Sequence, residues 1–225
     1  MKIIIAGLKM GRGGNKDKIS AIAESLIRSG ALKFGEFILR SGITSPYYID
    51  LAWLLSSPED FRRVASIVAG EIRKIILERN ISKLATIELK GALMLPYIAS
   101  VLHMPCIIVR KESKAYGLVG RIDGGEVVRG ERYIFFDDVI TDGRSKIEGI
   151  KPIEEMGGIV DTIVVVVDRE QGGSEYLTKM GYRVKPITTI SEVVNKLLEK
   201  NSIQRELAER IIRYTREAKA NREIT

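Results

Sequence analysis

Residues 163–168 read "IVVVVD". Five β-branched apolar residues in succession leave no side of a strand for water, so a strand built from them must be covered on both faces. That condition rules out a sheet with one wet face and calls for helices on each side, supplied by strand–helix–strand crossovers. The rest of the chain has the matching alternation. Apolar runs place strands over 83–88, 105–110, 132–137, 159–167 and 183–187. Amphipathic periods place helices over 91–102, 144–156, 174–180, 191–199 and 202–218. An α/β fold with a central, mostly parallel sheet flanked by helices follows.

Ahead of that body, Asp17 is expected to cap a helix with Ile19, Ile22, Ala23, Leu26 and Ile27 on one face, ending at Gly30. "KFGEFILRSGITSPYYIDL" reads as a hairpin around a Gly-Ile-Thr-Ser-Pro turn, and Pro58 opens a long helix through Phe61, Val64, Val68, Ile72 and Ile75. The expected organisation is an arm over 1–16, a helix and hairpin over 17–51, and a main body with C-terminal helices over 52–225.

Composition narrows the function classes. No apolar run approaches the length of a membrane span, and "MKIIIAGLKMGRGG" is too short in its apolar part for a signal peptide. The lone Cys106 excludes an intramolecular disulfide and fits a reducing cytoplasm. A net charge of +7 suits either nucleic acid or a heavily phosphorylated small molecule. No nucleic-acid motif accompanies it, and the basic residues of "QRELAERIIRYTREAKANRE" alternate with acids as on a solvated helix face. Nucleic acid is therefore not the expected partner. "GLKMGRGGNK" lacks the Gly-Lys-Ser/Thr ending of a nucleoside-triphosphate loop.

The chemistry is concentrated in residues 133–145, "YIFFDDVITDGRS". An apolar strand delivers Asp137 and Asp138 to one point, and ligands gather at the carboxyl ends of strands in such sheets. Asp137, Asp138 and Asp168 all fall at strand ends, and one such carboxylate alone is most simply a turn or helix cap. Two adjacent ones repel unless a cation or a polyhydroxyl ligand shares them. After Val139 and Ile140, the segment Thr141-Asp142-Gly143-Arg144-Ser145 feeds a helix. Backbone N–H groups there, with the Thr141 and Ser145 hydroxyls, make a phosphate cradle that Gly143 lets a ligand approach. Carboxylates for a sugar and its metal, one loop from a phosphate nest, describe a ribose-5-phosphate site.

This stretch resembles the phosphoribosyl-diphosphate motif of type I phosphoribosyltransferases. Three more stretches narrow the likeness to the orotate phosphoribosyltransferase family: "ALKFGEFILRSGITSPYYID" resembles its N-terminal hairpin, "RKESKAYG" its mobile catalytic loop, and "VVVVDREQGG" its base-holding segment. The resemblance spans roughly residues 20 to 200. It implies the type I phosphoribosyltransferase fold with the hairpin as a hood, and the transfer of phosphoribose from 5-phosphoribosyl 1-diphosphate to orotate with Mg²⁺. It implies that Arg110, Lys111 and Lys114 neutralise the departing diphosphate, that Asp137 and Asp138 hold the ribose hydroxyls or the metal's waters, that residues 141–145 cradle the 5-phosphate, and that Val139 and Ile140 belong to the same substrate-binding stretch. Lys33, Arg40, Thr141, Arg169 and the backbone at Tyr48 and Ile49 would serve the orotate side, and Lys90 and Gly91 the diphosphate. It further implies a homodimer in which the loop over 110–125 reaches the neighbouring subunit's site, and a possible association with orotidine-5′-phosphate decarboxylase.

The chain also departs from the family pattern. Tyr116 stands where the loop usually carries histidine; a phenol can donate to a phosphate oxygen but supplies no positive charge near neutral pH. His103, the only histidine, sits between a helix and a strand and reads as structural. Arg144 replaces a small residue; it either forks onto the 5-phosphate or turns outward to Asp142 or Glu148. Glu88 and Leu89 are bulky where small residues allow close approach to diphosphate. These departures leave two alternatives standing: a non-catalytic regulatory sensor of phosphoribosyl diphosphate, and a phosphoribosyltransferase for another base. Retention of Arg110, Lys111, Lys114 and Arg169 weighs against the first, and "KFGEF" with "DREQGG" against the second.

Overall fold

The computed structural model describes residues 14–38, 42–112 and 120–223. Arg40, Lys114 and Tyr116 lie outside them, as do the first 13 residues of the expected N-terminal arm.

Helix α1 (Asn15–Arg28) begins earlier than expected. Gly14 is its N-cap, and Asp17 sits in the first turn, where its carboxylate accepts the Gly14 N–H at 3.0 Å. A carboxylate inside the first turn meets the same unpaired amides and dipole as a cap would, so composition signals the helix start without fixing the capping position. Strands β1 (Leu32–Ile38) and β2 (Thr44–Ile49) pair antiparallel. The expected Gly-Ile-Thr-Ser-Pro turn is corrected here: Thr44, Ser45 and Pro46 already belong to β2. Proline is tolerated there because a two-stranded sheet has only edges. A 3-10 turn (Leu51–Ser56) leads into α2 (Pro58–Glu78), whose proline lies in the first turn, where a missing N–H costs no intrahelical bond.

The body then runs β3 (Lys83–Ile87), α3 (Leu95–Leu102), β4 (Cys106–Val109), β5 (Ile122–Asp123), β6 (Arg132–Ile140), α4 (Arg144–Glu155), β7 (Ile159–Asp168), α5 (Gly173–Lys179), β8 (Arg183–Thr189), α6 (Ile190–Glu199) and α7 (Arg205–Glu223). Six strands form one sheet in the order β5-β4-β3-β6-β7-β8, parallel except between β4 and β5. The two-residue β5 was not expected, being too short to carry a period. The helix expected over 91–102 is interrupted: Gly91–Leu93 is a 3-10 turn and α3 starts at Leu95.

Both faces of the sheet are buried, as residues 163–168 require. Ile134 and Phe136 of β6 enter one core with α1, α2, α3 and α6, whereas Tyr133 and Phe135 enter the other with Ile150 and Ile153 of α4. Strand β7 divides likewise, Val164 and Val166 one way and Ile163 and Val165 the other. Ile22 and Leu26 of α1 and Tyr47 of β2 share the first core with Val64 and Ile98. Gly149 marks where α4 lies closest to the sheet, since an added Cβ would stand 2.6 Å from Phe135 Cζ. No helix among the described residues is long and apolar enough to cross a membrane. Strand β3 leads outward to β4 on one side and β6 to β7 on the other. The order therefore reverses between β3 and β6, which is where such sheets bind ligands.

Candidate active site

A crevice of about 230 Å³ opens at that reversal. Ile87 at the end of β3 and residues 88–90 after it form one wall, Lys111 a corner, and Asp137, Asp138, Val139, Thr141, Asp142, Ser145 and Lys146 the other wall. Eight of the residues expected to bind a ligand thus meet in one place: Lys90, Lys111, Asp137, Asp138, Val139, Thr141, Asp142 and Ser145. Gly91 abuts it; a Cβ there would fall 2.1 Å from Thr86 Oγ1 and 2.9 Å from Asp137 Oδ1.

The carboxylate pair is 5% and 8% exposed. Asp137 Oδ1 accepts the Asp138 N–H at 2.9 Å, and Asp138 Oδ1 accepts the Val139 N–H at 2.8 Å. Asp137 Oδ2 lies 2.6 Å from the ammonium of Lys146, which also donates to the Val139 carbonyl at 2.5 Å and faces Ser145 Oγ at 3.3 Å. Burial above all, then the neighbouring Asp137 charge, pushes the Asp138 carboxyl up to about 7; Lys146 opposes this. Asp168, the third strand-end acid, has a structural task, accepting the Glu170 N–H at 2.7 Å and the Ser174 hydroxyl.

The turn before α4 is built for close approach. Gly143 is its N-cap with φ of 80°, a left-handed conformation suited to glycine. Gly173 supports the loop from behind, where a Cβ would stand 2.7 Å from the Thr141 carbonyl oxygen. The outward alternative for Arg144 is not adopted. Arg144 makes no ion pair with Asp142 or Glu148: Asp142 Oδ1 instead accepts the Arg144 backbone N–H at 3.1 Å, and Glu148 faces Arg121 at 3.7 Å. Ile140 is not among the residues lining the crevice. It is fully buried in the core under α4, and its carbonyl accepts the Arg169 N–H at 3.0 Å.

On the opposite wall, the Glu88–Leu89 peptide is cis. The bulk there does not fill the crevice: Glu88 Oε1 accepts the Lys111 N–H at 2.8 Å, and Leu89 is 60% exposed. Lys90 is gripped by both oxygens of Asp50 at 2.7 Å, tying the hairpin to this loop. Arg110 does not line the crevice; its guanidinium lies 3.4 Å from Asp123 of β5.

Arg169 follows β7. Its Nε donates to the Tyr47 phenol at 3.1 Å and its guanidinium carbon stands 4.9 Å from that ring's centroid, while its Nη2 is buried with no hydrogen-bond partner. A buried donor without an acceptor costs about 1–3 kcal/mol, so the atom fits an absent carbonyl or carboxylate. Lys33, paired with Tyr48 across the hairpin, lies 3.7 Å over the Trp53 ring, and Tyr48 packs on Phe37. Ile49 is partly buried against the first core.

Sequence reasoning missed Lys146, Tyr47 and Asp50. For Lys146 a signal existed. The inward face of α4 runs through Gly149, Ile150 and Ile153, and Lys146 occupies the next position of that face toward the N-terminus. The other two partnerships span the fold and carry no local signal.

No family model matches the chain. Individual relatives do. It is 37% identical over 177 residues to an orotate phosphoribosyltransferase of Methanocaldococcus jannaschii, covering 79% of this chain and 97% of that one. A uridine 5′-monophosphate synthase of Bos taurus is 32% identical over 199 residues, 88% of this chain but 41% of that longer protein. Among solved structures, orotate phosphoribosyltransferase from Aeropyrum pernix aligns with a TM-score of 0.66 and 29% identity over 78% of this chain and 97% of the other.

Proposed function

The chain belongs to the orotate phosphoribosyltransferase family, and on that premise we propose how its residues share out the reaction. The reaction joins orotate to 5-phosphoribosyl 1-diphosphate in the biosynthesis of uridine 5′-monophosphate: the C1–N bond to orotate forms, the C1–O bond to diphosphate breaks, and orotidine 5′-monophosphate and diphosphate leave. The observation that carries the assignment of the site is the meeting of the buried acid pair, the 88–91 loop and the start of α4 in one crevice at the sheet's reversal.

Positive charge grows at the ribose as negative charge grows on the leaving diphosphate, so the protein's contribution is positioning and electrostatics. Asp138, one of whose oxygens accepts no hydrogen bond from the described backbone, takes a ribose hydroxyl. The first turn of α4, with Thr141 and Ser145, takes the 5-phosphate. Lys90 and Lys111 face the diphosphate, joined by Lys114 and Tyr116. Arg110 stays at the loop's base with Asp123. Arg169, held by Tyr47, presents Nη2 to an oxygen of orotate, with Lys33, Arg40 and the Tyr48–Ile49 backbone closing that side.

Among the described residues no group of three or more His, Cys, Asp or Glu is placed to hold a metal ion. Both oxygens of Asp137 are engaged, so Asp138 would be the member of the pair to meet Mg²⁺, through water or substrate hydroxyls as Mg²⁺ sites commonly do. Bound that way, Mg²⁺ neutralises the leaving group.

The direct test follows orotate absorbance with and without phosphoribosyl diphosphate and Mg²⁺, with uracil and hypoxanthine as controls. Consumption of orotate alone is expected; consumption of hypoxanthine instead would overturn the base assignment. Arg169→Met is expected to raise the KM for orotate about 10- to 100-fold, the worth of one charge-assisted hydrogen bond, leaving that for phosphoribosyl diphosphate nearly unchanged. An unaltered orotate KM would remove Arg169 from the base site.

The loop over 110–125 serves the neighbouring subunit in a homodimer. Exposed Ile38, Ile43, Trp53 and Leu55 at the hairpin and the turn after it support a partner surface. Mixing inactive Lys114→Ala and Asp138→Asn subunits would then restore about a quarter of wild-type activity, since random pairing gives mixed dimers with one intact site; no recovery would refute a shared site. The product is a decarboxylation substrate. Likeness to longer uridine 5′-monophosphate synthases supports association with a separate orotidine-5′-phosphate decarboxylase, testable by comigration. A reducing, cytoplasmic setting suits Cys106, whose thiol burial pushes up and so keeps unreactive.

A further inference from the structure

Lys146 is out of place by every local rule. Its side chain is 5% exposed, and an ammonium is expensive to bury alone. It sits in the first turn of α4, where the helix dipole disfavours a cation. What offsets both costs is Asp137, 2.6 Å away and itself 7% exposed, together with the Val139 carbonyl. The second Asp137 oxygen is taken by the Asp138 amide. The acid pair therefore carries a resident counter-cation, at the spot where two adjacent carboxylates would otherwise recruit a metal ion.

We propose that Lys146 is a positioning residue that satisfies Asp137 from within the protein, so that the free site binds no divalent cation and accepts the ribose 5-phosphate portion of its ligands without one. Asp137 serves as a fixed strut, orienting the ammonium and the Asp138 backbone, and Asp138 is left as the one carboxylate that meets the sugar. The inference rests on the reading of this crevice as the ribose site, but its first test does not involve the reaction at all.

That test titrates Mn²⁺ into the free protein and follows it by electron paramagnetic resonance. Wild type is expected to leave the Mn²⁺ signal that of the free ion. Lys146→Met, which removes the resident charge at similar volume, is expected to bind Mn²⁺ about tenfold or more tightly, because a buried Asp137 carboxylate left without its ammonium attracts a dication strongly. Asp137→Asn/Lys146→Met, which removes both charges, should fold and lose that gain. Equal Mn²⁺ binding by wild type and Lys146→Met would overturn the proposal.

A second measurement needs no variant: calorimetric binding of ribose 5-phosphate to wild type in chelator and in excess Mg²⁺. Equal affinity is expected, and loss of binding in chelator would overturn the proposal even if Lys146→Met failed to fold. The outcomes separate from those of the enzyme assay. A protein that ignores orotate yet shows the Mn²⁺ contrast keeps Lys146 in this role and loses the reaction. One that consumes orotate while wild type takes up Mn²⁺ does the reverse.

Discussion

Asp138→Asn is expected to lower kcat/KM for phosphoribosyl diphosphate by about 100- to 1,000-fold, the scale of losing one preorganised charged contact to a transition state. The carboxylate is fixed by the Val139 amide and nearly excluded from water, so its interaction with a sugar hydroxyl is unscreened. Asparagine keeps the shape and an acceptor oxygen but not the charge opposing the positive charge that develops at the ribose. Near-wild-type turnover would show that the pair does not hold the sugar.

The same substitution has a signature in stability. The folded Asp138 carboxyl is raised to about 7, first by burial and then by Asp137, while an unfolded aspartate titrates near 3.9. A raised carboxyl favours the folded state in its protonated form, so its contribution is complete below the unfolded value and is lost as pH rises through about 7. The melting temperature of the free protein should therefore fall between about pH 4 and pH 7, and Asp138→Asn should flatten that fall. An equal slope in both proteins would mean another group is responsible.

Gly91→Ala is the second large effect. A methyl at this position would stand 2.1 Å from Thr86 Oγ1, 2.9 Å from Asp137 Oδ1 and 3.1 Å from the Phe136 carbonyl oxygen, all in a buried setting. Thr86 lies in β3 and Asp137 in β6, the two central strands, so relief requires moving Thr86 and the acid pair itself. A displacement near 1 Å at a reacting group costs about 100-fold in rate, and overpacking adds about 1–3 kcal/mol of destabilisation. We expect kcat/KM to drop about 100-fold or more, with a melting temperature lower by about 2–12 °C. Full activity would mean that the 88–91 loop is not pinned against the acids.

The local signals translated well into structure where they were periodic. Strands β3, β4, β6, β7 and β8 were each marked by apolar runs, and α2 by its proline start and regular apolar spacing. Short or irregular pieces were less legible. Strand β5 has two residues and exists only because β4 offers it a partner. Ser45 and Pro46 look like turn residues, and become strand because β1 continues opposite them. Arg144 illustrates the limit for side chains: its i, i+4 spacing to Glu148 permits a pair, but Arg121 reaches Glu148 instead.

The order of residues by itself determined a sheet buried on both faces, adjacent acids on its central strand and a glycine-bearing turn after them, because these depend on neighbours within a few positions; that the strand continues past the acids to Ile140 was set by its pairing with β7. Only the tertiary structure decided who those acids and cations answer to. Lys146 turns inward onto Asp137, Asp50 holds Lys90 across 40 residues, and Tyr47 steadies Arg169 across 122. Such pairings are set by strand order and helix packing, which bring distant segments within hydrogen-bonding reach, and no local period encodes them.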